Sequence, residues 1–357
     1  MKGNAAMLTA PAKEAHTADT RDPLGTVRYL PSLSLDAYRK DVVADSSLLR
    51  SVVDFGRPGA ELALSVLERT VTEFDTDETG RGDSYRTAQR DASVRWTGVE
   101  QLLGLCAPDG PAVVLDILGG DGTLARAVAE LGGGATSGVT LLTSDISGEM
   151  VKEALAQGLP AVRQAADFLF VREGSVDAVL LAYGTHHIAR QDRPAAVREA
   201  LRAVRPGGRV VLHDFDEASP MARFFTQVVH HRSPGGHDYP HFTRAELVSL
   251  FADAATPARV LDVYDPLVVR ADSEEGAREA MCAYVGGMYG VSGFFEELGG
   301  VQEAWSLLEE VFDHTDYLAG LGRTGDFPAA PRIREADGSF VAEVPRVSVV
   351  AVAQKAV

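Results

Sequence analysis

An acidic residue and three closely spaced glycines follow an apolar run in the stretch VVLDILGGDG, which ends at Gly122. The apolar run closes on Asp116, and Gly119 and Gly120 come shortly after it. Because glycine has no Cβ, a loop of this kind lets its backbone approach a bound ligand closely. In α/β proteins such loops lie at the carboxyl ends of buried strands, where ligands bind. The spacing therefore predicts a nucleotide-type ligand site.

Two ligand classes compete for this loop. Residues 120–125, GDGTLA, fit the GxGxxA fingerprint of dinucleotide-binding proteins, and Asp145 lies about 20 residues further on, as that fingerprint requires. A carboxylate at Asp116 would repel a pyrophosphate, however, whereas it suits a ligand that carries an ammonium and a sulfonium group. The residues therefore favour S-adenosylmethionine, with a nicotinamide-dependent dehydrogenase as the alternative.

At these residues the chain resembles the class I S-adenosylmethionine-dependent methyltransferases, over roughly residues 110–255. Their first motif is an acid followed by GxGxG. In this chain it reads DILGGDG from Asp116, and Leu118 takes the place of the first glycine. The resemblance implies that Gly120 and Gly122 approach the donor most closely, with Gly119 in the same loop.

Later segments extend the resemblance to the rest of the donor. The stretch SDISGEM looks like the second motif of the family. The resemblance implies that Asp145 accepts hydrogen bonds from the ribose hydroxyls, while Ile146 and Met150 pack against the adenine. In AADFLF, it implies that Asp167 accepts the adenine amino group and that Phe168 lies beside the ring.

Histidines cluster where an acceptor would meet the donor. His186 and His187 end the fourth predicted strand, and the segment HHRSPGGHDYPHF carries His237 and Asp238. A positioned base assists methyl transfer to a hydroxyl or to a carbon acid. These four residues are the candidate catalytic groups, and the acceptor is expected to be a small molecule.

A metal-assisted reaction is the main alternative. Some methyltransferases that act on the carbon next to the keto group of 2-oxo acids resemble the His237–Asp238 pattern. They hold a divalent metal through a His-Asp pair and a distant histidine, which here would be His241 or His314. The metal acts as a Lewis acid on the bound oxo acid. Two further alternatives stay open: non-methyl chemistry on S-adenosylmethionine, and a non-catalytic protein that binds the donor.

The elements that position these residues alternate from about residue 110 onward. Strand-like runs such as AVVLDIL and SVDAVLLAYG alternate with helical runs such as GTLARAVAEL. Continuous apolar strands separated by helices predict a parallel sheet with both faces covered. The predicted fold class is α/β: a Rossmann-like, doubly wound, seven-stranded sheet of the methyltransferase type, with two strands after residue 255.

The chain divides into three predicted regions. Residues 1–25 form a flexible tail, and residues 26–108 form a helical N-terminal cap with apolar residues at helical spacing. Residues 109–357 form the S-adenosylmethionine-binding domain, with a helical insertion at about residues 273–325 before the last strand.

The amino-acid composition limits the classes of partner that the protein is expected to bind. The chain of 357 residues has a formal net charge of -17, so we expect neither nucleic acid nor an anionic membrane as a partner. Its two cysteines match no zinc or disulfide pattern, and no signal-peptide region stands at the amino terminus. We expect a cytoplasmic enzyme of secondary metabolism, such as antibiotic biosynthesis, that forms a homodimer.

Overall fold

Apolar runs become the strands of a seven-stranded sheet in the computed structural model, which describes residues 22–75 and 82–357. The strand order in this sheet is β3-β2-β1-β4-β5-β10-β6. The strands are β1 (Ala112–Asp116), β2 (Val139–Asp145), β3 (Ala161–Arg163), β4 (Val176–Leu181), β5 (Val204–Asp214), β6 (Ala258–Tyr264), β7 (Leu267–Ala271), β8 (Arg332–Ala336), β9 (Ser339–Val344) and β10 (Val347–Gln354).

The direction of winding reverses at β1. Strand β1 pairs in parallel with β2 on one side and with β4 on the other. Strand β10 runs antiparallel between β5 and β6. Ligands of open α/β sheets bind where the winding reverses, beyond the carboxyl ends of the strands. The predicted doubly wound fold class is confirmed, and Asp116 stands at that point.

Helices cover both faces of the sheet and build the regions around it. They are α1 (Leu35–Tyr38), α2 (Ser47–Val52), α3 (Ala60–Leu67), α4 (Gly82–Ala88), α5 (Trp96–Cys106), α6 (Thr123–Leu131), α7 (Gly148–Ala156), α8 (Arg193–Ala203), α9 (Pro220–Phe224), α10 (His230–Arg232), α11 (Arg244–Asp253), α12 (Glu274–Tyr289), α13 (Ser292–Glu297), α14 (Val301–Val311) and α15 (Thr315–Gly320). Within the described ranges, no helix has the length and apolar character that crossing a bilayer requires.

The region before β1 is helical, as predicted. Helix α5 packs its apolar side, including Leu102 and Leu103, against buried side chains of the sheet. Near the opposite edge of the sheet, the Tyr38 hydroxyl donates a hydrogen bond of 2.6 Å to the carbonyl of Ala161 in β3. Most of the predicted tail, residues 1–21, lies outside the described residues. Its last part is ordered, because Pro23–Thr26 form a 3-10 turn in which Gly25 is buried.

The region after residue 255 differs from the prediction. The run ARVLDVYDPLVVRA holds two strands that belong to different sheets, because β6 joins the large sheet and β7 pairs with β9. Strands β7, β9 and β8 form a separate antiparallel sheet. The predicted helical insertion is present as α12–α15, but the β8–β9 hairpin follows it. The last strand, β10, then returns to the large sheet.

Candidate functional site

The glycine loop takes the form that its sequence predicts. Gly119 donates a backbone hydrogen bond of 2.9 Å to the carbonyl of Ser144 in β2. Gly120 and Gly122 have φ angles of 56° and 85°, a region that favours glycine. Gly122 is the N-cap residue directly before α6, which begins at Thr123. The loop therefore turns sharply from β1 into the amino end of a helix, directly beyond Asp116.

The carboxyl group of Asp116 is buried at the end of β1. The residue is 1% exposed, and its Oδ2 atom accepts no hydrogen bond from any residue that the structure describes. Burial raises the pKa of this carboxyl to about 8, with a further contribution from Asp145, while Arg95 opposes the shift. A buried carboxyl in this state needs a cation beside it in order to ionise near neutral pH.

Asp145 ends β2 next to the same loop. Its Oδ2 accepts a hydrogen bond of 3.0 Å from the Gly120 amide, and its Oδ1 accepts one of 2.8 Å from the Ser147 amide. Burial raises the pKa of Asp145 to about 6, although these amides oppose the shift. The structure thus brings Asp145 together with the glycine loop, and its ribose role stays a prediction. Ile146 is half-buried beside it, and Met150 is buried in α7.

We predict that Gly122→Ala destabilises the fold by about 1–3 kcal/mol, since it adds both backbone strain and a clash. An added Cβ would lie 2.3 Å from Cδ1 of Leu159. Gly158→Ala is the matched control, because Gly158 has a φ of 76° and open space around its Cα. Urea denaturation should show the larger loss for Gly122→Ala, and Leu159→Ala should restore part of it. Equal losses for the two glycines would contradict the clash.

Asp167 and Phe168, two of the residues predicted to contact the adenine, differ in burial. Asp167 is exposed. The ring of Phe168 is half-buried, and the Arg57 guanidinium lies 4.2 Å from its centroid. An added Cβ at Gly59 would also come within 3.1 Å of this ring. Phe168 therefore packs against the N-terminal region, and the adenine roles of Asp167 and Phe168 stay predictions.

A buried guanidinium lies between two small cavities. Arg95 is 6% exposed, donates a hydrogen bond to the Gln89 side chain, and lies 4.6 Å from the ring centroid of Tyr183. Within the described part of the chain, no carboxylate oxygen comes within 4.0 Å of it. One cavity, of about 20 Å³, is lined by Arg95, Asp116 and the glycine loop. The other, of about 40 Å³, is lined by Arg95 and the histidine region.

The histidine region is organised around Asp214 at the end of β5. His186 lies on the turn Thr185–His187 after β4, and its Nδ1 is 2.9 Å from Asp214 Oδ2. The Nδ1 atom of His241 is 3.1 Å from Asp214 Oδ1. All three side chains are buried. Burial alone would raise the pKa of Asp214, but His186 and His241 outweigh it and hold that pKa well below its usual range.

Two further predicted residues complete the cluster. His237 is buried, and its ring stacks on Phe225 at a centroid distance of 4.1 Å. The Nδ1 atom of His187 lies 3.3 Å from Oε1 of Glu73. The rings of His186 and His187 are 4.6 Å apart, and those of His186 and His237 are 5.1 Å apart. The structure therefore assembles the three predicted histidines.

The predicted metal set of His237, Asp238 and His241 is not assembled. Adjacent residues of this irregular segment face opposite ways, so that His237 is buried while Asp238 is exposed. His241 contacts Asp214 instead. His314 is also elsewhere, because its Nδ1 lies 2.8 Å from the carbonyl of Phe312 and its surroundings hold its pKa at about 4, chiefly through burial.

Residues outside the predicted candidate set hold much of this site. Asp214 directly follows His213 at the end of β5, and that position after a buried strand was the available signal. Glu73 and Arg95 come from the N-terminal region, where nothing in the local sequence distinguishes them from surface charges.

A family model matches the segment that contains the glycine loop. Residues 114–208 match the model of a family described as a methyltransferase domain. This segment runs from β1 into β5 and contains Asp116, the glycine loop and the His186–His187 pair. The match confirms, for this segment, the predicted resemblance to the class I S-adenosylmethionine-dependent methyltransferases.

Two curated relatives each match less than half of this chain. The ubiquinone/menaquinone biosynthesis C-methyltransferase UbiE of Brucella anthropi is 27% identical over 164 residues, which cover 44% of this chain and 58% of that protein. UbiE of Rhizobium johnstonii is 34% identical over 112 residues, covering 29% of this chain and 42% of that protein. The chain thus spans about half the length of the curated relatives that it matches.

A solved structure, that of the Haemonchus contortus phosphoethanolamine N-methyltransferase 2 in complex with S-adenosyl-L-methionine, is 15% identical. The similarity covers 81% of this chain and 61% of that chain, with a TM-score of 0.45.

Proposed function

We propose that this protein is an S-adenosylmethionine-dependent methyltransferase that acts on a small-molecule acceptor. The observation that carries the proposal is the carboxyl group of Asp116. It is buried at the winding reversal of the sheet, and its Oδ2 accepts no hydrogen bond within the described residues. Such a group favours a cationic ligand, and S-adenosylmethionine carries both an ammonium and a sulfonium. A dinucleotide would instead bring its pyrophosphate towards this carboxylate.

The charges around the small cavity suit the amino-acid end of this donor. The Asp116 carboxyl group and the Arg95 guanidinium line the same cavity. The donor's methionine tail carries an ammonium and a carboxylate, so it offers a counter-ion to each of them. A guanidinium binds a carboxylate with two parallel hydrogen bonds. We therefore infer that Arg95 takes the carboxylate of the methionine tail and Asp116 takes its cationic groups.

The cavity must widen when the donor binds. Its volume is about 20 Å³, whereas pockets for small-molecule ligands are typically about 300–1,000 Å³. Tyr85 of α4 lines this cavity and the neighbouring one. We infer that Tyr85 moves outward with α4 to admit the donor.

Asp145 would hold the ribose, as the sequence predicts. Its carboxylate is already fixed by the amides of Gly120 and Ser147. We expect Asp145→Ala to weaken S-adenosylmethionine binding by about 1.5–3 kcal/mol, because hydrogen bonds from the ribose hydroxyls to a charged group are lost. Titration calorimetry measures this change. Asp177→Asn, at the amino end of β4 and away from the loop, is the control and should leave the affinity unchanged. Unchanged affinity of Asp145→Ala would contradict the ribose role.

The histidine region would supply the base. The sulfonium donor brings an activated methyl group, so the protein must mainly align the acceptor and exclude water. Asp214 lies against Nδ1 of His186 and thereby favours the tautomer in which Nε2 is the basic nitrogen. We infer that His186 acts as general base for an acceptor at the 40 Å³ cavity, which His187 also lines, while His237 packs beside His186. This cavity, too, must widen to admit an acceptor.

Metal-assisted C-methylation of a 2-oxo acid is the second candidate, and the grouping of His186, His187 and His237 favours it. Incubation with methyl-labelled donor and candidate acceptors tests both functions. Labelled product together with S-adenosylhomocysteine supports methyl transfer, whereas donor recovered unchanged favours a non-catalytic binding protein. Donor consumed without methyl transfer favours other chemistry. Secondary metabolism and a homodimer stay predictions.

A further inference from the structure

We propose that His186, His187 and His237 form a binding site for a divalent transition-metal ion. Each of the three imidazoles offers one nitrogen, and the three nitrogens lie within 4.8 Å of one another. Three ligands around one metal at bonds of about 2.0–2.1 Å are separated by less than that distance, so a small contraction would close the site. The three residues come from the turn after β4 and from the segment after α10.

Two of the three imidazoles have a carboxylate close to their Nδ1 atom. Asp214 lies against Nδ1 of His186, and Glu73 lies 3.3 Å from Nδ1 of His187. In metal sites a carboxylate commonly accepts the second ring N–H of a ligating histidine, which fixes its tautomer and raises its basicity. The hydrogen-bond contact with Asp214 directs Nε2 of His186 towards the ligand role, and Glu73 places a second carboxylate at ion-pair distance from the His187 ring. A general-base histidine requires only one neighbouring carboxylate, so the negative charge of the second carboxylate favours a bound cation.

Asp214 itself is not available as a ligand, although it forms a second close group with His186 and His241. Its Oδ1 accepts from the Phe215 amide at 2.7 Å and lies 3.1 Å from Nδ1 of His241. Its Oδ2 accepts from the His186 amide at 2.7 Å and contacts the His186 ring. A carboxylate has about four lone-pair positions, and these contacts use all of them. Asp214 is therefore a positioning residue.

Two of the three histidines, His186 and His187, line the cavity of about 40 Å³, which Arg95 and Arg346 also line. Three protein ligands with an open fourth position are typical of catalytic zinc sites, and imidazoles also suit iron and copper. The open position would face an acceptor that binds through oxygen. This last step rests on the proposed methyl transfer, whereas metal binding itself does not.

Cobalt titration of the metal-free, full-length protein tests the site. Cobalt(II) absorbs visible light strongly when its coordination is tetrahedral, and it needs no acceptor or donor to report binding. We expect one equivalent to bind the wild type, at least about 100-fold weaker binding for His237→Ala, and about 10- to 100-fold weaker binding for Asp214→Asn. His231→Ala, which removes an exposed histidine nearby, should bind cobalt like the wild type.

Two further measurements distinguish loss of the metal site from loss of the fold or of the donor site. Thermal melting and S-adenosylmethionine binding of each variant show whether the fold and the donor loop persist. No cobalt binding by a wild type that still binds S-adenosylmethionine would overturn the metal site and leave the proposed function standing. Equal weakening in His237→Ala and His231→Ala would overturn the assignment of the ligands. Cobalt binding without S-adenosylmethionine binding would support the site and contradict the methyltransferase.

Discussion

Asp116→Asn is expected to weaken S-adenosylmethionine binding at least about 100-fold at pH 8.5, because a buried charge pair is worth about 3–5 kcal/mol when one partner is removed. The carboxylate is 1% exposed, so water screens its interaction with the donor's cationic groups very little. Asparagine has nearly the same shape and keeps one carbonyl oxygen. The loss would therefore report charge and not packing, and titration calorimetry measures it.

The same group makes donor affinity depend on pH. Burial holds the pKa of Asp116 at about 8, with Asp145 raising it further and Arg95 opposing. A cationic ligand binds the ionised form, so wild-type affinity should rise about 100-fold between pH 6 and pH 9 and level off above pH 8. Asp116→Asn should lack this rise. Asp145, with a pKa of about 6, adds a smaller change near the acidic end.

As the pH rises, the contribution of Asp116 to the stability of the ligand-free protein should decrease, whereas donor affinity increases. The pKa of Asp116 is raised in the folded state, so the folded state binds a proton more tightly than the unfolded state between about pH 4 and pH 8. The contribution of Asp116 to stability therefore falls as the pH rises through that window. We expect Asp116→Asn to be more stable than the wild type by a few kcal/mol at pH 8.5, and by less at pH 5.

Asp177→Asn is the matched control for both measurements. Asp177 lies near the amino end of β4, where it accepts the Val113 amide at 2.8 Å and pairs with Arg205. Burial opposes its ionisation, but the hydrogen bond from Arg205 and its other partners lower its pKa. Its replacement should reduce stability and leave donor affinity unchanged. Donor affinity in Asp116→Asn equal to that of the wild type would remove the main support for the proposed function.

The donor half of the site could be predicted from the sequence because it is local. Asp116, the glycine loop and α6 form one continuous strand–loop–helix unit, and Asp145 ends the neighbouring strand. The order of apolar runs also fixes the large sheet. Positions with positive φ, such as Gly120 and Gly122, can be recognised from the sequence because residues other than glycine adopt that conformation at a cost.

The acceptor half could be predicted only in part, since its contacts join distant segments. His241 meets Asp214 across 27 residues, and Glu73 meets His187 from the far N-terminal region. Asp238 follows His237 directly, yet only one of the two side chains points inward. The separate sheet of β7, β9 and β8 was also not predicted. Its strand β7 follows β6 after only two residues, so the apolar pattern reads as one strand.

Arg95→Gln is expected to abolish the preference of the protein for S-adenosylmethionine over its decarboxylated form. The wild type should bind the carboxylate-bearing donor at least about 30-fold more tightly, because a desolvated guanidinium–carboxylate pair is worth about 2–5 kcal/mol. Arg95 is buried, and its described partners are the Gln89 side chain and the face of Tyr183. Glutamine keeps a hydrogen-bonding group there and removes the charge. Calorimetric titration of both proteins with both ligands gives the coupling directly.

Asp145→Ala serves as the control variant in this cycle, because it should weaken both ligands equally through the ribose that they share. A different pattern would reassign Arg95. If Arg95→Gln bound both ligands like the wild type but raised KM for the acceptor, the guanidinium would recognise an anionic acceptor from the 40 Å³ cavity that it also lines. A carboxylate of the acceptor would then lie beside the three histidines, which a metal-assisted reaction on a 2-oxo acid requires.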